Sequence, residues 1–413
     1  MKILFIHQNF PGQYKHLAPL LAAQGHNCVA LTLRVKEAGN WKGVRLIPYK
    51  LPDRNGQNVH PWLVDLDTKV TRGEACFRAA VQMREAGFTP DLILAHPGWG
   101  ESMFLRDVWP QAKIGLYCEL YHLSDYPHLN FDPEFEKPNQ TSAMRIRLKN
   151  MNNHLHFPLG DAGISPTQFQ ADTFPPAFRQ RITVSHDGID TTIATPDKDV
   201  RLTIEGQIDV TRDDEVITFV NRNLEPYRGY HKFMRALPDL LKRRPNAQML
   251  IVGGDDVSYG ARAPKGQTWK QIFLDEVKDQ ISEADWKRVH YLGRIPYDQF
   301  LRLLQVSRVH VYLTYPFVLS WSLMEAMACE AAIVASDVAP VQEVITDDVT
   351  GRLVDFFDKD ALVTAVSDLL DDPDARLRMG QAARQLMIDK YELNKICLPR
   401  QVDWVNSIMD TKR

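Results

Sequence analysis

The chain has 413 residues, too many for one ordinary domain of roughly 150 residues. Its 44% hydrophobic content is ample for large cores, and 49 basic against 52 acidic residues leave a net charge of −3, which gives no reason to expect nucleic acid as a partner. Five isolated cysteines (Cys28, Cys76, Cys118, Cys329 and Cys397), odd in number and set mostly among apolar residues, suit reduced core positions and argue against a disulfide framework or a zinc site. The opening apolar run is too short for a signal peptide, and no run of about 20 apolar residues is present, so a cytoplasmic enzyme is expected.

The apolar run Ile3 to Ile6 predicts a strand, followed by a turn at Pro11 and Gly12, a helix from Tyr14 to Gln24 ended by Gly25, and a second strand from Cys28 to Leu33. Strand, turn, helix and strand with unbroken apolar strands is the pattern of a parallel βαβ unit. Strands follow at Asp91–Ala95, Ile114–Cys118 and Asp161–Ser165, and helices at Met103–Trp109 and Ser142–His156, the latter basic and amphipathic. Between them, Ser124 to Gln140 carries Pro127, Pro133 and Pro138 and predicts a long loop, of a kind usually functional or mobile. Phe174 to Asp199, with Pro175, Pro176 and Pro196, predicts a stiff linker. A second series then runs through strands at Val216–Val220, Gln248–Val252, Val289–Leu292, Val309–Thr314, Ala332–Ser336 and Arg352–Val354, with helices at Gly229–Arg243, Gln271–Ser282 and Tyr297–Gln305. The fold class is α/β, with one domain over 1–180, a second over 200–389, and a C-terminal helix, 390–413, expected to complete the first.

In open parallel sheets ligands bind outside the carboxyl ends of the strands, so polar residues after strands are the site candidates. The most informative stretch is Leu313 to Cys329, a strand end, a polar turn and a helix. Ser320 and Ser322 suit N-capping, which leaves free N–H groups and a positive dipole end for phosphate. Glu325 behind that end suits the hydroxyls of a ribose; the plain alternative is a capped helix with a favourable charge. After Val220, Arg222 and Arg228 flank a turn and suit a diphosphate, or simply solvent. Gly253-Gly254-Asp-Asp256 and Gly293-Arg294-Ile295-Pro-Tyr297 are further strand-end turns. In the first half, Gly12 lets the backbone approach a ligand closely. The run Ala95-His96-Pro-Gly-Trp99-Gly-Glu101 offers an aromatic face for a sugar ring, and Glu119-Leu-Tyr-His122 follows the next strand. Glu101 and Glu119 suit orienting acceptor hydroxyls, or capping a helix and pairing with Arg106 or His122. Asp65-Leu-Asp67 imitates a metal motif inside a helical segment, and His154 and His156 lack a third ligand. The basic run Arg145 to Lys149 fits a solvated face better than anionic lipid.

The succession Asn221-Arg-Asn-Leu-Glu-Pro-Tyr-Arg-Gly229, Gly253-Gly-Asp, Leu292-Gly-Arg-Ile-Pro296 and Ser322-Leu-Met-Glu-Ala-Met-Ala328, with Ala339–Glu343 and Asp348–Gly351, resembles family 4 of the glycosyltransferases, retaining enzymes of the GT-B fold. The resemblance covers essentially the whole chain. It implies two Rossmann-like domains with parallel sheets facing a central cleft, the donor on the C-terminal domain and the acceptor on the N-terminal one. It implies that Arg222 and Arg228 bind the donor diphosphate, where the family usually has lysine at the second position. Ser320 would cap the helix, with Ser322 and Leu323 offering N–H groups to the distal phosphate. Glu325 would hold the ribose, Arg294 and Ile295 would border the base, and Gly254 and Gly12 would approach the donor. His122, with Glu119 close behind, would contact the donor sugar, and His96, Trp99 and Glu101 would face the acceptor. One departure stands out: the family's first glutamate of E-x7-E, a donor-sugar contact, is Phe317 here. The implied activity is retaining transfer from a nucleoside-diphosphate sugar, UDP-sugar favoured, to a hydroxyl of a glycan or lipid-linked acceptor in polysaccharide or glycolipid assembly. The arginines and the helix end would neutralise the leaving diphosphate, so no metal or other cofactor is required. A sugar-nucleotide epimerase and a non-catalytic sugar-nucleotide-binding scaffold are the alternatives. The expected location is the cytoplasm, with contact at the inner membrane face as an extension.

Overall fold

A computed structural model describes residues 1–53, 58–137, 139–204, 206 and 208–410. Pro138 of the expected loop and residues 411–413 of the expected C-terminal helix lie outside the described residues. The chain forms two compact units, Met1–Gly188 with Asn394–Arg413, and Ile189–Leu393.

The strands of the first unit are β1 (Lys2–Ile6), β2 (Asn27–Thr32), β3 (Gly39–Trp41), β4 (Val44–Pro48), β5 (Leu92–Ala95), β6 (Lys113–Tyr117), β7 (Ala162–Ser165) and β8 (Ile182–Val184). They make one sheet in the order β3-β4-β2-β1-β5-β6-β7-β8, parallel throughout except for the β3–β4 hairpin. The central strands are buried on both faces: Ile3, Leu4, Phe5, Ile6, Ile93 and Leu94 are fully covered, which is why they appear in sequence as unbroken apolar runs. Each such side chain contributes about 1.5–3 kcal/mol of burial free energy. Helix Leu398–Asp410 returns to this sheet; a Cβ on Gly115 of β6 would come within 2.8 Å of Trp404 and Ile408, so the glycine makes room for the helix.

The second unit opens with a hairpin of β9 (Arg201–Ile204) and β10 (Ile208–Thr211). Its main sheet contains β11 (Val216–Asn223), β12 (Gln248–Gly254), β13 (Val289–Gly293), β14 (Val309–Tyr312), β15 (Ala332–Ser336) and β16 (Arg352–Val354), in the order β13-β12-β11-β14-β15-β16 and all parallel. Helix Tyr230–Arg243 packs Tyr230, Phe233, Met234, Leu237, Leu240 and Leu241 inward at helical spacing, with Phe233 stacked on Phe219 of β11 at 4.5 Å.

Strand order reverses at β1/β5 in the first sheet and at β11/β14 in the second. The crevice outside the strand ends at such a switch point is where α/β sheets hold ligands. Several expected boundaries change. The helix from Tyr14 to Gln24 is a 3-10 turn, Gly12–Lys15, and a helix, Leu17–Ala23; that at 103–109 shrinks to Leu105–Val108. The expected linker instead holds helix Pro176–Arg179 and the edge strand β8, because Pro176 sits at a helix start, where its missing N–H costs nothing.

Buried histidines tie stability to pH. His310 is fully covered, 2.8 Å from the Thr218 hydroxyl, and burial lowers its imidazole from the ordinary 6.5 to about 4. Burial does the same to His156 and His186. The unfolded chain takes these protons up near pH 6.5 and the folded one only near 4, so stability is complete above pH 6.5 and falls as pH drops through that window. Calorimetry should show a steep decline of Tm below pH 6.5. His310→Asn should flatten the decline by up to about 1.4 kcal/mol per pH unit; an unchanged slope would contradict the assignment.

Candidate active site

In the second unit the chain leaves β11 through a bulge between Val220 and Asn223, which places Arg222 on the surface. The turn Pro226–Arg228 then closes on Gly229, whose φ of +67° favours glycine and whose Cβ would lie 2.2 Å from that of Leu313. This turn drives Arg228 inward, to 6% exposure. Its Nη1 donates to the Tyr312 hydroxyl (3.1 Å), the Thr314 hydroxyl (2.9 Å) and the Val318 carbonyl (3.1 Å), all neutral acceptors. Tyr312 in turn accepts the Ser320 N–H at 3.2 Å, and Thr314 donates its N–H to Ser336 at 3.0 Å. The loop after β14 is thus pinned around one guanidinium. Helix Trp321–Ala328 starts from that loop, with Ser320 as its cap: the Ser320 hydroxyl accepts the Ser322 N–H and lies 2.8 Å from the Ser322 hydroxyl. Leu323 is fully buried and has only its backbone to offer a ligand.

Around Arg228 lie aromatic rings: Tyr259 has its centroid 5.0 Å from the guanidinium carbon, and Phe317 5.9 Å. Glu225, 1% exposed, accepts the N–H groups of Ser258 (3.0 Å), Tyr259 (3.3 Å) and Gly260 (3.0 Å), which fixes the loop that carries Tyr259. Further along the sheet edge, Tyr297 donates to Glu325 at 2.7 Å; desolvation and that carboxylate push the phenol well up, so it remains a donor. Arg294 donates to Asn223 at 3.1 Å, and a Cβ on Gly254 would come within 2.7 Å of both side chains, so a larger residue there would displace this pair. Ile295 is half-buried beside them.

In the first unit the ends of β1 and β5 carry a different chemistry. His7 accepts the Asn9 N–H at Nδ1 (3.0 Å) and is 2.7 Å from the Gln13 side-chain oxygen at Nε2, and Gln13 donates to Glu119 at 3.4 Å. Burial, with His96 adding to it, lowers the His7 imidazole to about 3, so it is neutral. His96 takes the Gly98 N–H at Nδ1, stacks on Trp99 (4.4 Å) and Tyr117 (5.3 Å), and points Nε2 at Glu119 from 3.6 Å. Burial, with Lys149 and Lys69 adding to it, drops the His122 imidazole well below its ordinary value; its backbone is held by Asn150.

Residues 24–194 match the family described as Glycosyl transferase family 4 group, and residues 201–386 that described as Glycosyl transferases group 1. The chain belongs to glycosyltransferase family 4. Among the similar curated proteins, this glycosyltransferase is 29% identical over 207 residues to the D-inositol 3-phosphate glycosyltransferase of Corynebacterium efficiens, covering 49% of this chain and 46% of that one. It is 27% identical over 231 residues to the GDP-mannose-dependent alpha-(1-6)-phosphatidylinositol monomannoside mannosyltransferase of Mycolicibacterium smegmatis, covering 55% and 57%. The matches span about half the length of these relatives. Among solved structures, sucrose-phosphate synthase from Thermosynechococcus elongatus superposes with a TM-score of 0.75 at 18% identity, covering 100% of both chains. Anabaena HepE in complex with UDP-glucose superposes at 0.66 and 14%, covering 98% of this chain and 99% of that one. The fold is GT-B.

The structure brings Arg228, Phe317, Ser320, Ser322 and Glu325 to one switch point, and Gly12, His96, Trp99 and Glu119 to the other. Two acceptor-side candidates lie deeper than their strand-end positions suggest. Glu101 is 1% exposed, bonded to the Tyr49 hydroxyl at 3.2 Å, because left-handed Gly100 turns the chain inward; burial raises its pKa. His96 is 2% exposed and supports Glu119 and Trp99 from beneath. The expected partner Arg106 instead bonds Asp161 at 2.9 Å. Asp65 pairs with Lys69, and His154 meets the Tyr121 hydroxyl while His156 is buried. Sequence reasoning passed over Glu225, Tyr259, Tyr312 and Gln13. Glu225 stood inside the quoted Asn221–Gly229 motif, whereas Tyr259 lies in a loop with no periodic signal.

Gly12 has a φ of +48°, and its Cβ would lie 2.2 Å from His7 Nε2. Gly12→Ala should therefore destabilise the first unit by about 2–4 kcal/mol through strain and overpacking, read by denaturant unfolding; a change below about 0.5 kcal/mol would show the turn to be pliable.

Proposed function

We propose that this glycosyltransferase moves a hexose, with retention, from a nucleoside-diphosphate sugar to an acceptor hydroxyl in glycolipid or polysaccharide assembly, without a metal. The observation that carries the proposal is the buried guanidinium of Arg228, bonded to neutral oxygens only, beneath the N-terminal end of helix Trp321–Ala328. A cation whose bonded partners are neutral, next to a positive dipole end, is an anion site in waiting. A diphosphate suits it, with Arg222 as the exposed contact and Glu325, steadied by Tyr297, for the ribose hydroxyls. Arg294 and Ile295 would border the base, and His122, Glu119 and Trp99 would serve the sugar and the acceptor. As the anomeric bond breaks, charge grows on the departing phosphate, and fixed positive groups stabilise it most at that moment. The departing oxygen would take the acceptor's proton on the face from which it leaves.

UDP is the nucleotide we favour; the relatives include a GDP-mannose-dependent enzyme, so both belong in the test. Thermal unfolding with UDP, GDP, ADP and their common sugars, in the presence of a chelator, should show stabilisation by one base. At 100 times Kd the gain is about 2.7 kcal/mol. Arg222→Ala should weaken binding at least tenfold, and Glu325→Ala should abolish the preference for ribonucleotides over their deoxy counterparts. No stabilisation by any nucleotide would refute the site, and stabilisation only with divalent metal would refute metal independence.

We also propose that the enzyme works from the cytoplasm at the inner membrane face. Among the described residues no helix is long and apolar enough to cross a membrane. Helix Ser142–His156 leaves Met144, Met151 and Leu155 about 40% exposed, within about 20° of one line along the helix. Arg145 and Arg147 flank them. Such a stripe with basic borders suits an anionic surface. Sedimentation with vesicles containing phosphatidylserine should carry the protein down, less so at high salt, and Arg145→Glu with Arg147→Glu should abolish it; equal sedimentation of the variant would exclude this helix.

A further inference from the structure

Arg228 and Phe317 are joined in space though 89 positions apart. The guanidinium carbon lies 5.9 Å from the Phe317 centroid, and Phe317 sits in the loop that Arg228 organises through Thr314 and Val318. The ring is itself fixed: Tyr227 meets it edge-on at 5.3 Å and Tyr259 lies against it at 4.8 Å. Tyr259 covers the same guanidinium at 5.0 Å and is held there by the amides that Glu225 binds. The carboxylate nearest in sequence, Glu225, is bonded to backbone N–H groups and acts on the guanidinium only through its field, while Tyr259 and Phe317 are the groups that face the cation directly. Rings attract a cation without cancelling its charge, whereas a carboxylate at the same distance would pair with it.

We propose that Arg228 and Phe317 act as one coupled unit, in which the ring positions the guanidinium and leaves its charge to the diphosphate, so that Phe317 is a positioning residue rather than a contact for sugar hydroxyls. This rests on the donor-site reading above and assigns the ligand gripped there: the nucleoside diphosphate itself, with the sugar secondary. The arginine is suited to this where a lysine is not. Its planar head can bond oxygens along one edge while its flat face lies under the rings, a face that an ammonium does not have. A carboxylate at 317 would draw the guanidinium towards itself, pull the loop before Ser320 out of register and neutralise the site.

A double-mutant cycle tests the coupling: wild type, Phe317→Glu, Arg228→Lys and the double variant, with Phe317→Tyr and Phe317→Leu as ring controls. Two quantities are read, the unliganded Tm and the Kd of UDP, GDP and ADP by calorimetry. We expect each single variant to weaken the preferred nucleotide about tenfold, and the double variant to stay near that tenfold, because a cation already neutralised by the carboxylate has little left to lose, instead of the hundredfold that independent effects would give. Phe317→Tyr, which keeps the ring, should bind within about twofold, and Phe317→Leu should lose most of the affinity while its unliganded Tm moves by only a few degrees. UDP should bind at least as tightly as UDP-glucose. Multiplicative effects in the cycle, or full affinity in Phe317→Leu, would overturn the proposal. If no nucleotide binds the wild type, the donor-site reading fails on its own. The cycle is then read in the unliganded Tm, where coupling supports the Arg228–Phe317 unit and additivity overturns it.

Discussion

A permanent charge cannot be taken out of water unless something in the protein replaces the water, and the Arg228 guanidinium is where this chain meets that constraint most sharply. The replacement is built from Tyr312, Thr314, the Val318 carbonyl and two aromatic rings. Each of these groups has a second duty. Tyr312 also holds the Ser320 N–H, Thr314 is tied to Ser336 on β15, and Tyr259 hangs from Glu225. The start of helix Trp321–Ala328 is therefore set by the same contacts that satisfy the buried cation. The positive φ of Gly229 stands at the head of this sequence of causes, since it is the turn there that sends Arg228 inward.

The two switch points occupy equivalent places in their sheets and solve different problems. At β11/β14 a buried cation and a capped helix start, which suit phosphate, stand with one carboxylate, Glu325, which suits hydroxyl groups. At β1/β5 the groups are a neutral imidazole, an amide, a stacked histidine and one half-exposed carboxylate, which suits hydroxyl groups. The chain of hydrogen bonds from His7 through Gln13 to Glu119, with His96 3.6 Å from the same carboxylate, helps fix its orientation. His96 beneath it has its tautomer set by the Gly98 N–H. Burial keeps His7 uncharged, so the negative charge of Glu119 is not cancelled from that side.

Most of both sheets was legible in the sequence, because parallel strands buried on two faces leave unbroken apolar runs such as Ile3–Ile6 and Met249–Val252. The hairpins β3–β4 and β9–β10 were not, since three to five residues with one exposed face carry too little pattern to stand out. Prolines misled at 174–199: Pro176 begins a helix in place of stiffening a linker. For the candidate site, strand-end position picked out loops that do lie at the switch points but did not tell depth. Arg222 and Arg228 look alike in sequence, yet a bulge exposes one and a left-handed glycine buries the other. Glu101 and Glu119 likewise differ only in which way the chain turns after the strand.

That difference in depth bears on how the loss of the first E-x7-E carboxylate should be weighed. Counted as a missing motif residue, Phe317 suggests an enzyme in decline. Considered as part of the field around a buried arginine, and on the proposed donor-site reading, it would be a redistribution: an acceptor for sugar hydroxyls is given up, and no second carboxylate is set against the charge that would face the diphosphate. Charge facing the leaving phosphate is felt more strongly as the anomeric bond lengthens than in the bound substrate. Binding free energy moved from the sugar to the diphosphate is thereby moved towards the step that has to be accelerated. On the proposed donor-site reading, an aromatic residue at this position is therefore compatible with catalysis as long as Arg228 stays beneath it, and the pair, not either residue alone, would define that site.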